Sequence, residues 1–555
     1  MTSELVIDGL QVSVQSPVSQ KAGTLLVNDV SLSVAPGEFV ALVGSSGSGK
    51  TLTALSCLGL LPKGLGVTGG SVTIGDLEIT TASERELNSA RGGRLGMLFQ
   101  QPKRMFNPNR TIGEHLQEPL RLHQGVRGLR ARAKALDLLD EVGLHDPLKS
   151  SKAYPHQLSG GMAQRAMTAL ALAGQPEMLL ADEPTSALDK GLETQILQLL
   201  NRERHERGLG ILYITHDIRT VADYADRVLV MGAGSILEEG RVEEVLRRPE
   251  SSYTRELLDA ALLAPKSRRR PLPAEGPVLA LEGVGKRFGR KRKGERPALE
   301  DVSLSLGRGE VLGVLGQSGS GKSTLAKTIV GLEAPSTGVI SRHLEAGQPH
   351  RRTAVQLVFQ EPHHAFDPRM TLGTSLHAPL ISHRHLTPEQ RVEQIQTAMN
   401  EVELDPVLLD RHPGQCSGGQ LQRATIARAL LLEPEVLICD EATSALDAVT
   451  QRRILDLLLN LQRSRGLSVI MVSHDMDVIR YMCDRVAVLL DGQVIEVAAT
   501  GDFFTAPQHP HSQALVSASI PCRALGAWDA AQSRSSFLNV GHNAPPPERF
   551  DSSPR

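Results

Sequence analysis

Gly44-Ser-Ser-Gly-Ser-Gly-Lys50-Thr51 is the most informative segment of this sequence, and a second copy, Gly316-Gln-Ser-Gly-Ser-Gly-Lys322-Ser323, lies further along the chain. The first copy follows the apolar residues 40–43 and precedes residues 52–61, whose pattern predicts a helix. A glycine-rich turn that leads from a buried strand into a helix is the context that a phosphate-binding loop requires. The sequence therefore predicts a nucleoside triphosphate as ligand.

The residue types in this loop suit a triphosphate. Glycines let backbone N–H groups surround an anion, and the start of the following helix adds partial positive charge. Lys50 is placed to reach the outer phosphates, and the Thr51 hydroxyl to ligate magnesium. We expect nucleotide contacts from Gly44, Ser45, Gly47, Ser48, Gly49, Lys50 and Thr51 in the first copy, and from Gly316, Gln317, Gly319, Ser320, Gly321, Lys322 and Ser323 in the second.

Length and composition limit the function classes. A chain of 555 residues is long enough for two or more domains, and 40% apolar with 22% charged residues describe a soluble globular protein. A net charge of -2 and a single Trp give no support to a nucleic-acid partner. No apolar run reaches about 18 residues, so a membrane role has to come through a partner. The five cysteines lack a C-x-x-C pair and are expected to be reduced, in a cytoplasmic protein.

The order of motifs is repeated along the chain. Three pairs of polar residues stand 258 positions apart: Ser159 and Ser417, Asp182 and Asp440, His216 and His474. The two loop lysines are 272 positions apart, so the second half has lost residues after its phosphate loop. Two copies of one domain are the economical explanation. We expect a first domain at 1–261, a Pro- and Arg-rich linker at 262–277, a second domain at 278–521 and a disordered tail at 522–555.

Apolar periodicity gives a coarse secondary structure for the first half. Alternating residues at 5–7, 25–27 and 30–34 predict a small antiparallel sheet ahead of the phosphate loop. Residues 113–144 predict a helical insert. The short apolar runs at 178–181 and 211–215 predict buried parallel strands.

Two carboxylates follow an apolar run in each half: Asp182 and Glu183, then Asp440 and Glu441. A carboxylate at the carboxyl end of a strand near the phosphate loop suits magnesium, and a second one beside it can orient or deprotonate the attacking water. Ionised side chains directly after an apolar strand are costly unless they bind something. These residues therefore indicate hydrolysis of the triphosphate at two sites.

Further motifs resemble those of the ATP-binding cassette (ABC) ATPases. Leu158-Ser-Gly-Gly-Met162 and Cys416-Ser-Gly-Gly-Gln420 resemble the signature motif of that family. Ser-Ala-Leu-Asp189 and Ser-Ala-Leu-Asp447 resemble the D-loops of the family. Phe99-Gln100 and Phe359-Gln360 resemble its Q-loops. Thr215-His216-Asp217 and Ser473-His474-Asp475 resemble its switch histidines. The resemblance spans roughly residues 4–520. It implies an α/β fold of two tandem ABC-type P-loop NTPase domains, each with a RecA-like core, an antiparallel β subdomain and a helical subdomain.

The family implies that the two domains meet head to tail as an intrachain pseudo-dimer, with ATP and Mg²⁺ held between them. The resemblance gives site one Lys50, Thr51, Gln100, Asp182, Glu183 and His216, with Ser417, Gly418 and Gly419 of the other half. It gives site two Lys322, Ser323, Gln360, Asp440, Glu441 and His474, with Ser159, Gly160 and Gly161. The implied catalytic residues are Glu183, Glu441, His216 and His474. The implied magnesium ligands are Thr51, Gln100 and Asp182, and Ser323, Gln360 and Asp440.

Two departures from the family pattern matter. Phe288 stands where the family usually has an aromatic ring against adenine, whereas the first half has Val14 there. The loss of a stacked ring is expected to weaken nucleotide binding at site one by about 1–3 kcal/mol. Some relatives carry a cysteine cluster, associated with an iron–sulfur centre, after the last motif. This chain has only Cys522 there, so no iron–sulfur cluster is expected.

Residues 249–258 and 507–515 resemble the short C-terminal motif of the peptide/nickel importer ATPases. This resemblance implies an ATP-hydrolysing subunit that powers uptake of peptides or peptide-like compounds; a nickel or metal-chelate importer is the alternative. A soluble twin-cassette ATPase acting on ribosomes or nucleic acid is a remoter alternative, because such proteins usually have a long charged helical linker. The implied partners are two integral-membrane permeases and a periplasmic or lipid-anchored substrate-binding protein, with no nucleic acid. The implied location is the cytoplasmic face of the inner membrane, as a peripheral protein.

Overall fold

The computed structural model describes residues 3–15, 23–100, 102–185, 190–263, 276–289, 296–317, 319–343, 353–383, 386–443 and 446–518. Most of the predicted linker at 262–277 and the whole predicted tail at 522–555 lie outside these residues. The two halves contain similar elements in the same order, as the repeat in the sequence predicts.

The first half contains, in chain order, β1 (Leu5–Val14), β2 (Leu25–Val34), β3 (Phe39–Val43), α1 (Lys50–Ser56), β4 (Leu65–Ile74), β5 (Leu77–Glu78), α2 (Glu84–Ala90), β6 (Leu95–Leu98), α3 (Pro102–Met105), α4 (Ile112–His123), α5 (Gly128–Glu141), α6 (Pro147–Lys152), α7 (Gly160–Leu172), β7 (Met178–Asp182), α8 (Lys190–Arg207), β8 (Gly210–Thr215), α9 (Ile218–Tyr224), β9 (Arg227–Gly232), β10 (Ser235–Arg241), α10 (Val242–Arg247) and α11 (Ser252–Ala261). The second half contains β11 (Leu279–Lys286), β12 (Leu299–Leu306), β13 (Val311–Leu315), α12 (Lys322–Val330), β14 (Thr337–Arg342), β15 (Val355–Val358), α13 (Leu372–His383), α14 (Pro388–Glu401), α15 (Gly418–Leu430), β16 (Val436–Asp440), α16 (Ala448–Arg465), β17 (Ser468–Ser473), α17 (Met476–Met482), β18 (Arg485–Leu490), β19 (Gln493–Ala499), α18 (Thr500–Thr505) and α19 (Pro510–Ala518). Short 3₁₀ helices lie at Pro155–Gln157, Pro362–Ala365, Pro406–Asp410 and Pro413–Gln415.

A six-stranded sheet forms the centre of each half, in the order β10-β9-β3-β8-β7-β6 and β19-β18-β13-β17-β16-β15. Five strands of each sheet are parallel, and β10 or β19 is the antiparallel edge strand. The strands β3, β7 and β8 are buried along their whole length, which is the pattern of a parallel sheet covered on both faces. The prediction of buried parallel strands at 178–181 and 211–215 is confirmed. The phosphate loop and the residues after β7 and β8 consequently share the carboxyl edge of one sheet.

A smaller antiparallel sheet lies beside each central sheet. It contains β2, β1, β4 and β5 in the first half and β12, β11 and β14 in the second. Alternate residues of β1, such as Leu5 and Ile7, are buried in a core that also includes α1. The predicted antiparallel sheet is therefore confirmed. Within the described ranges of the second half, β5 and α2 have no counterpart, which accounts for the shorter spacing after the second phosphate loop.

The helix after the first phosphate loop is shorter than the sequence predicts. It ends at Ser56 rather than at residue 61, and residues 57–59 form a turn. Gly59 has φ 60°, a left-handed conformation that a right-handed helix does not contain. The apolar side chains of Cys57 and Leu58 mimic helical periodicity but are buried in the core shared with the antiparallel sheet. The prediction of a helix over 52–61 is wrong at its carboxyl end.

A helical segment from α3 to α7 lies between β6 and β7, and α4 and α5 confirm the predicted helical insert at 113–144. Thr111 and Glu114 form a reciprocal capping box at the start of α4. The apolar face of α4, with Leu116 and Leu120, is buried in the same cluster as α5 and α7. This packing fixes the start of α7, where Ser159 is the N-cap.

The first half also contacts the second half through α11, which packs against α16. Val449 lies in the same apolar cluster as Leu257 and Leu258. Arg453 Nη2 is 2.6 Å from Glu256 Oε1 at the edge of this contact. Across the described ranges, no helix combines the length and the apolar character that a membrane crossing needs.

Candidate nucleotide-binding and catalytic sites

Close backbone packing explains why each phosphate loop begins and ends with glycine. A Cβ atom on Gly44 would lie 2.1 Å from the carbonyl oxygen of Met231, and one on Gly316 would lie 2.4 Å from that of Leu489. Gly49 has φ 106° and Gly321 has φ 104°, in the left-handed region that favours glycine. The two loops therefore have the same shape, and glycine is required at both ends of it.

The lysine of each loop folds back onto the loop. Lys50 Nζ donates to the carbonyl oxygens of Gly44 at 2.8 Å and Ser45 at 2.9 Å. Lys322 Nζ makes the same bonds, to Gly316 at 2.7 Å and Gln317 at 2.9 Å. Burial lowers the pKa of both lysines, and the neighbouring carboxylates oppose that shift. Each loop therefore holds a buried cation where the pattern predicts the outer phosphates.

Each loop also contains a buried hydroxyl without a hydrogen-bond partner among the described residues. These are the Oγ atoms of Ser48 and Ser320. A buried polar atom without a partner is unusual in a folded protein, because it loses its bonds to water and gains none in return. A bound anion would supply the missing acceptor, so this observation fits the predicted phosphate group.

The first carboxylate of each pair is the last residue of its strand, Asp182 in β7 and Asp440 in β16. Thr51 Oγ1 donates to Asp182 Oδ1 at 3.2 Å, and Ser323 Oγ donates to Asp440 Oδ1 at the same distance. Burial raises the pKa of Asp182 to about 6, while the bond from Thr51 opposes the rise. Burial also raises the pKa of Asp440. A hydroxyl and a carboxylate held together in this way are oxygen donors that suit Mg²⁺.

The second carboxylate of each pair sits on strained backbone. Glu183 has φ 45° and Glu441 has φ 48°, values that residues with a Cβ rarely adopt. Gln100 Nε2 donates to Glu183 Oε2 at 2.8 Å, and His216 Nδ1 is 3.3 Å from Glu183 Oε1. The strained turn therefore directs the carboxylate toward both the Q-loop glutamine and the switch histidine.

The second half repeats this geometry. Gln360 Nε2 donates to Glu441 Oε2 at 2.7 Å, and His474 Nδ1 is 3.2 Å from Glu441 Oε1. The hydrogen bond from His474 lowers the pKa of Glu441 against the effect of burial, and the same bond raises the pKa of His474. At site one burial is the largest single cause and raises the pKa of Glu183, but His216, Lys50 and Gln100 together lower it below its usual value. Both glutamates are therefore held ionised beside a histidine.

The signature serines are helix caps with exposed surfaces. The side chain of Ser159 accepts from the backbone N–H of Met162 at 3.2 Å, and that of Ser417 accepts from Gln420 at 3.3 Å. Gly160 is exposed, and Gly161, Gly418 and Gly419 are half-buried. These residues therefore lie at helix N-termini, whose backbone N–H groups favour an anion.

A contact joins the D-loop of the second half to the phosphate loop of the first. Asp447 Oδ2 lies 3.5 Å from the backbone nitrogen of Ser46, and its charge acts on Lys50. Asp447 also accepts from the backbone N–H and the hydroxyl of Thr450, whose methyl group would meet a Cβ on Gly419 at 2.6 Å. The first D-loop, residues 186–189, lies outside the described residues.

Several features of these sites were not evident from the sequence. The hydroxyl of Tyr253, in the C-terminal motif of the first half, accepts from the backbone N–H of Ser45 at 2.8 Å. The motif resembles one found in the importer ATPases, yet its sequence carries no signal for this contact. Phe288 is 54% exposed, with Lys286 Nζ 5.0 Å from its ring centre, and Val14 is 40% exposed.

The described residues contain no cluster of three or more His, Cys, Asp or Glu side chains placed for a metal.

Fold and site geometry together define a tandem P-loop nucleoside triphosphatase. The sequence profile of the family described as ABC transporter matches residues 27–186 and 299–444, which is more than half of the chain. The chain is 39% identical over 521 residues to the peptidoglycan transport ATP-binding protein YejF of Agrobacterium fabrum, covering 91% of this chain and 94% of that protein. It is 38% identical over 541 residues to the glutathione import ATP-binding protein GsiA of Salmonella typhimurium, covering 89% and 86%.

The chain therefore belongs to the ABC transporter family and is one of its ATPases. A solved structure of CbiO1 from Clostridium perfringens, titled as part of the ABC transporter complex cbiONQ, aligns with 42% of this chain and 92% of its own at 28% identity and a TM-score of 0.37. The assignment rests on the sequence comparisons, which cover both halves.

The raised pKa of Asp182 makes a prediction about stability. Its folded-state pKa of about 6 exceeds the ordinary aspartate value of 3.8, so the ionised carboxylate destabilises the metal-free fold, and this cost grows as the pH rises from about 4 to about 6. Asp182→Asn should raise the free energy of unfolding by about 1–3 kcal/mol at pH 7.5. The gain should shrink as the pH falls toward 4. Urea denaturation in EDTA without nucleotide measures it.

The matched control is Asp140→Asn, because Asp140 is exposed on α5. It should change the free energy of unfolding by less than about 0.5 kcal/mol. A loss of stability in Asp182→Asn at pH 7.5 would contradict the assigned cause of the pKa shift.

Proposed function

We propose that the chain is the ATP-hydrolysing subunit of an importer for peptides or peptide-like compounds, and that its two halves close on ATP as a head-to-tail sandwich. The contact between Asp447 and Ser46 carries this proposal, because it brings the D-loop of one half onto the phosphate loop of the other. Two complete sets of loop lysine, carboxylates, glutamine and histidine support hydrolysis at both sites.

Each half of this arrangement supplies one part of each site. Site one would combine Lys50, Asp182 and Glu183 with Ser417 of the second half, and site two would combine the corresponding residues with Ser159. Backbone N–H groups at the starts of α7 and α15 would add donors for the terminal phosphate. Closure then depends on that phosphate, so its removal releases the halves.

The proposed chemistry follows from the bonds described above. Lys50 and the N–H groups of its loop bind the phosphates, and Thr51, Gln100 and Asp182 would hold Mg²⁺. The ion, when bound, supplies charge neutralisation on the phosphate oxygens. Glu183 orients the attacking water and accepts its proton, and His216 holds the glutamate in place. Site two has the same roles on its own residues.

The family membership implies permease partners, and we propose the finer arrangement. The chain would bind two membrane permeases at the cytoplasmic face of the inner membrane, and a separate substrate-binding protein would deliver the cargo. We propose the domain division at 1–261 and 278–521, since α11 ends at Ala261 and β11 begins at Leu279.

The names of the relatives favour one substrate class. YejF is named for peptidoglycan transport and GsiA for glutathione import. Glutathione is a short peptide and peptidoglycan fragments contain short peptides, and both have unusual amide linkages. We therefore propose peptide-like compounds as cargo, ahead of nickel or a metal chelate.

The double variant Glu183→Gln with Glu441→Gln tests the proposed chemistry. It should keep ATP affinity within about threefold and lose hydrolysis by at least about 100-fold, because the amides cannot accept a proton. Phosphate release and equilibrium ATP binding measure the two effects. Near-normal hydrolysis would refute the assignment of both glutamates.

The control pairs two exposed glutamates, Glu206→Gln with Glu393→Gln, on α8 and α14. This variant makes the same chemical change twice, away from the nucleotide sites. It should hydrolyse ATP at the parent rate.

Uptake in intact cells tests the transport role. A strain without this chain should regain uptake of labelled glutathione or a labelled muropeptide when the parent chain is supplied, and not when the double Glu→Gln variant is supplied. The parent chain should sediment with the membrane fraction. Restored uptake of nickel alone would contradict the cargo class, and sedimentation with ribosomes would contradict the importer role.

A further inference from the structure

An ion pair joins two positions that are equivalent in the two halves. Arg219 and Asp477 are 258 residues apart, the same spacing that relates His216 to His474. Each is the second residue of its helix, α9 or α17, and each lies three residues after its switch histidine. A residue of one half therefore contacts its own counterpart in the other half.

Contact between equivalent positions locates the symmetry axis of the pair. When two similar domains are related by a twofold rotation, a residue can touch its counterpart only if both lie close to the axis. The ion pair consequently marks the pseudo-twofold axis that relates the two halves. Any pairing of halves with this geometry would bring the same two positions together.

The pair is shielded and hydrogen-bonded. Arg219 Nη1 donates to a carboxylate oxygen of Asp477, and Arg219 Nε donates to Asp217 at 3.0 Å. The side chains of Arg219 and Asp477 are 31% and 23% exposed. Interactions between partly buried charges are screened less than those at the surface. A change in the sign of either charge should therefore alter the energy of this contact.

Two identical halves could not form this pair. Two copies of the first half would place Arg219 against Arg219, and two copies of the second would place Asp477 against Asp477. The second case is worse, because Asp475 adds a carboxylate on each side, while Arg480, at 3.8 Å from Asp477, offsets these charges only in part. In the first half each Arg219 retains its own Asp217, so the repulsion there is smaller.

A second contact between the halves also pairs opposite charges that two identical halves would not both supply. Glu256 pairs with Arg453, whereas the corresponding positions in the reciprocal contact are Ala514 and Gln195. This pair is more exposed than Arg219–Asp477, at 45% and 61%, so its energetic effect is expected to be small. Its charges nevertheless exist on one side of the pseudo-dimer only.

We propose that the Arg219–Asp477 pair is a specificity element that allows a first half to close only on a second half. Each chain carries both halves, so two chains side by side at a membrane offer like halves to one another. Opposite charges at the axis favour the unlike pairing, and like charges oppose the others. The proposal rests on the closure of unlike halves described above.

Charge variants of the full chain reproduce the other pairings at the axis. Arg219→Asp gives the Asp/Asp combination of two second halves, Asp477→Arg gives Arg/Arg, and the two changes together restore opposite charges with the signs exchanged. All are made with Glu183→Gln and Glu441→Gln so that ATP, once trapped, is not hydrolysed. Each variant is incubated with increasing ATP, and the ATP that stays with the protein after gel filtration is counted. The measured quantity is the ATP concentration at which this retained amount is half of its maximum.

Each like-charge variant should raise this ATP concentration about tenfold or more. The effect of Arg219→Asp should be the larger, because the new carboxylate lies among Asp217, Asp475 and Asp477. The exchanged pair should return to within about threefold of the parent. Tenfold corresponds to about 1.4 kcal/mol of coupling. In the control exchange of Glu256 and Arg453, each single change should shift the value by less than about threefold.

Three results separate the proposals. A parent that does not retain ATP would contradict the proposed sandwich itself. If the parent retains ATP and the like-charge variants retain it equally well, the Arg219–Asp477 pair is not a specificity element. The same conclusion follows if retention is lost in the exchanged pair as well as in both single variants, because charge complementarity would then not be what the closed state requires.

Discussion

A buried aspartate that ends a parallel strand, with a half-buried glutamate directly after it, is the constraint on which each site depends. Asp182 and Glu183 lie where an apolar strand leaves the sheet, and the pKa of the aspartate rises because of that burial. The glutamate reaches its position only through a left-handed backbone. Their partners come from separate segments: Thr51 from the phosphate loop, Gln100 from the end of β6 and His216 from the end of β8. The central sheet is therefore needed to assemble the site.

The two halves agree in their chemistry and differ where they meet. Hydrogen-bond distances within the two catalytic groups match to about 0.1 Å, as for Gln100–Glu183 and Gln360–Glu441. The contacts between halves have no such symmetry, since α11 lies on α16 through charged residues that the reciprocal positions lack. A fused chain keeps both halves at equal concentration, which frees their surfaces to diverge while both sites keep their full set of groups. Under the proposed function, the repeated groups serve hydrolysis at two sites, and the divergent contacts serve the pairing of the halves.

The sequence predicts most of each candidate site, because the motifs directly follow strands whose carboxyl ends share one sheet edge. It does not predict the strained glutamates, since no propensity predicts a left-handed glutamate. The contact of Asp447 with Ser46 and the pairing of Arg219 with Asp477 depend on how the halves are placed, which a motif does not encode. The end of α1 was mispredicted because the buried Cys57 and Leu58 continue a helical pattern into a turn. Within a half the residues themselves were informative, whereas the pairing of the halves was implied only by the family resemblance.

In the proposed pairing, the signature motif of the other half completes each nucleotide site. Lys50→Ala with Ser417→Arg places both changes in site one under this pairing, whereas Lys50→Ala with Ser159→Arg places one change in each site. Both are made with Glu183→Gln and Glu441→Gln, and the ATP retained per chain after gel filtration is counted. Crossed pairing predicts about one ATP for Lys50/Ser417 and almost none for Lys50/Ser159. The reverse result would contradict it, and would assign each signature motif to the phosphate loop of its own half.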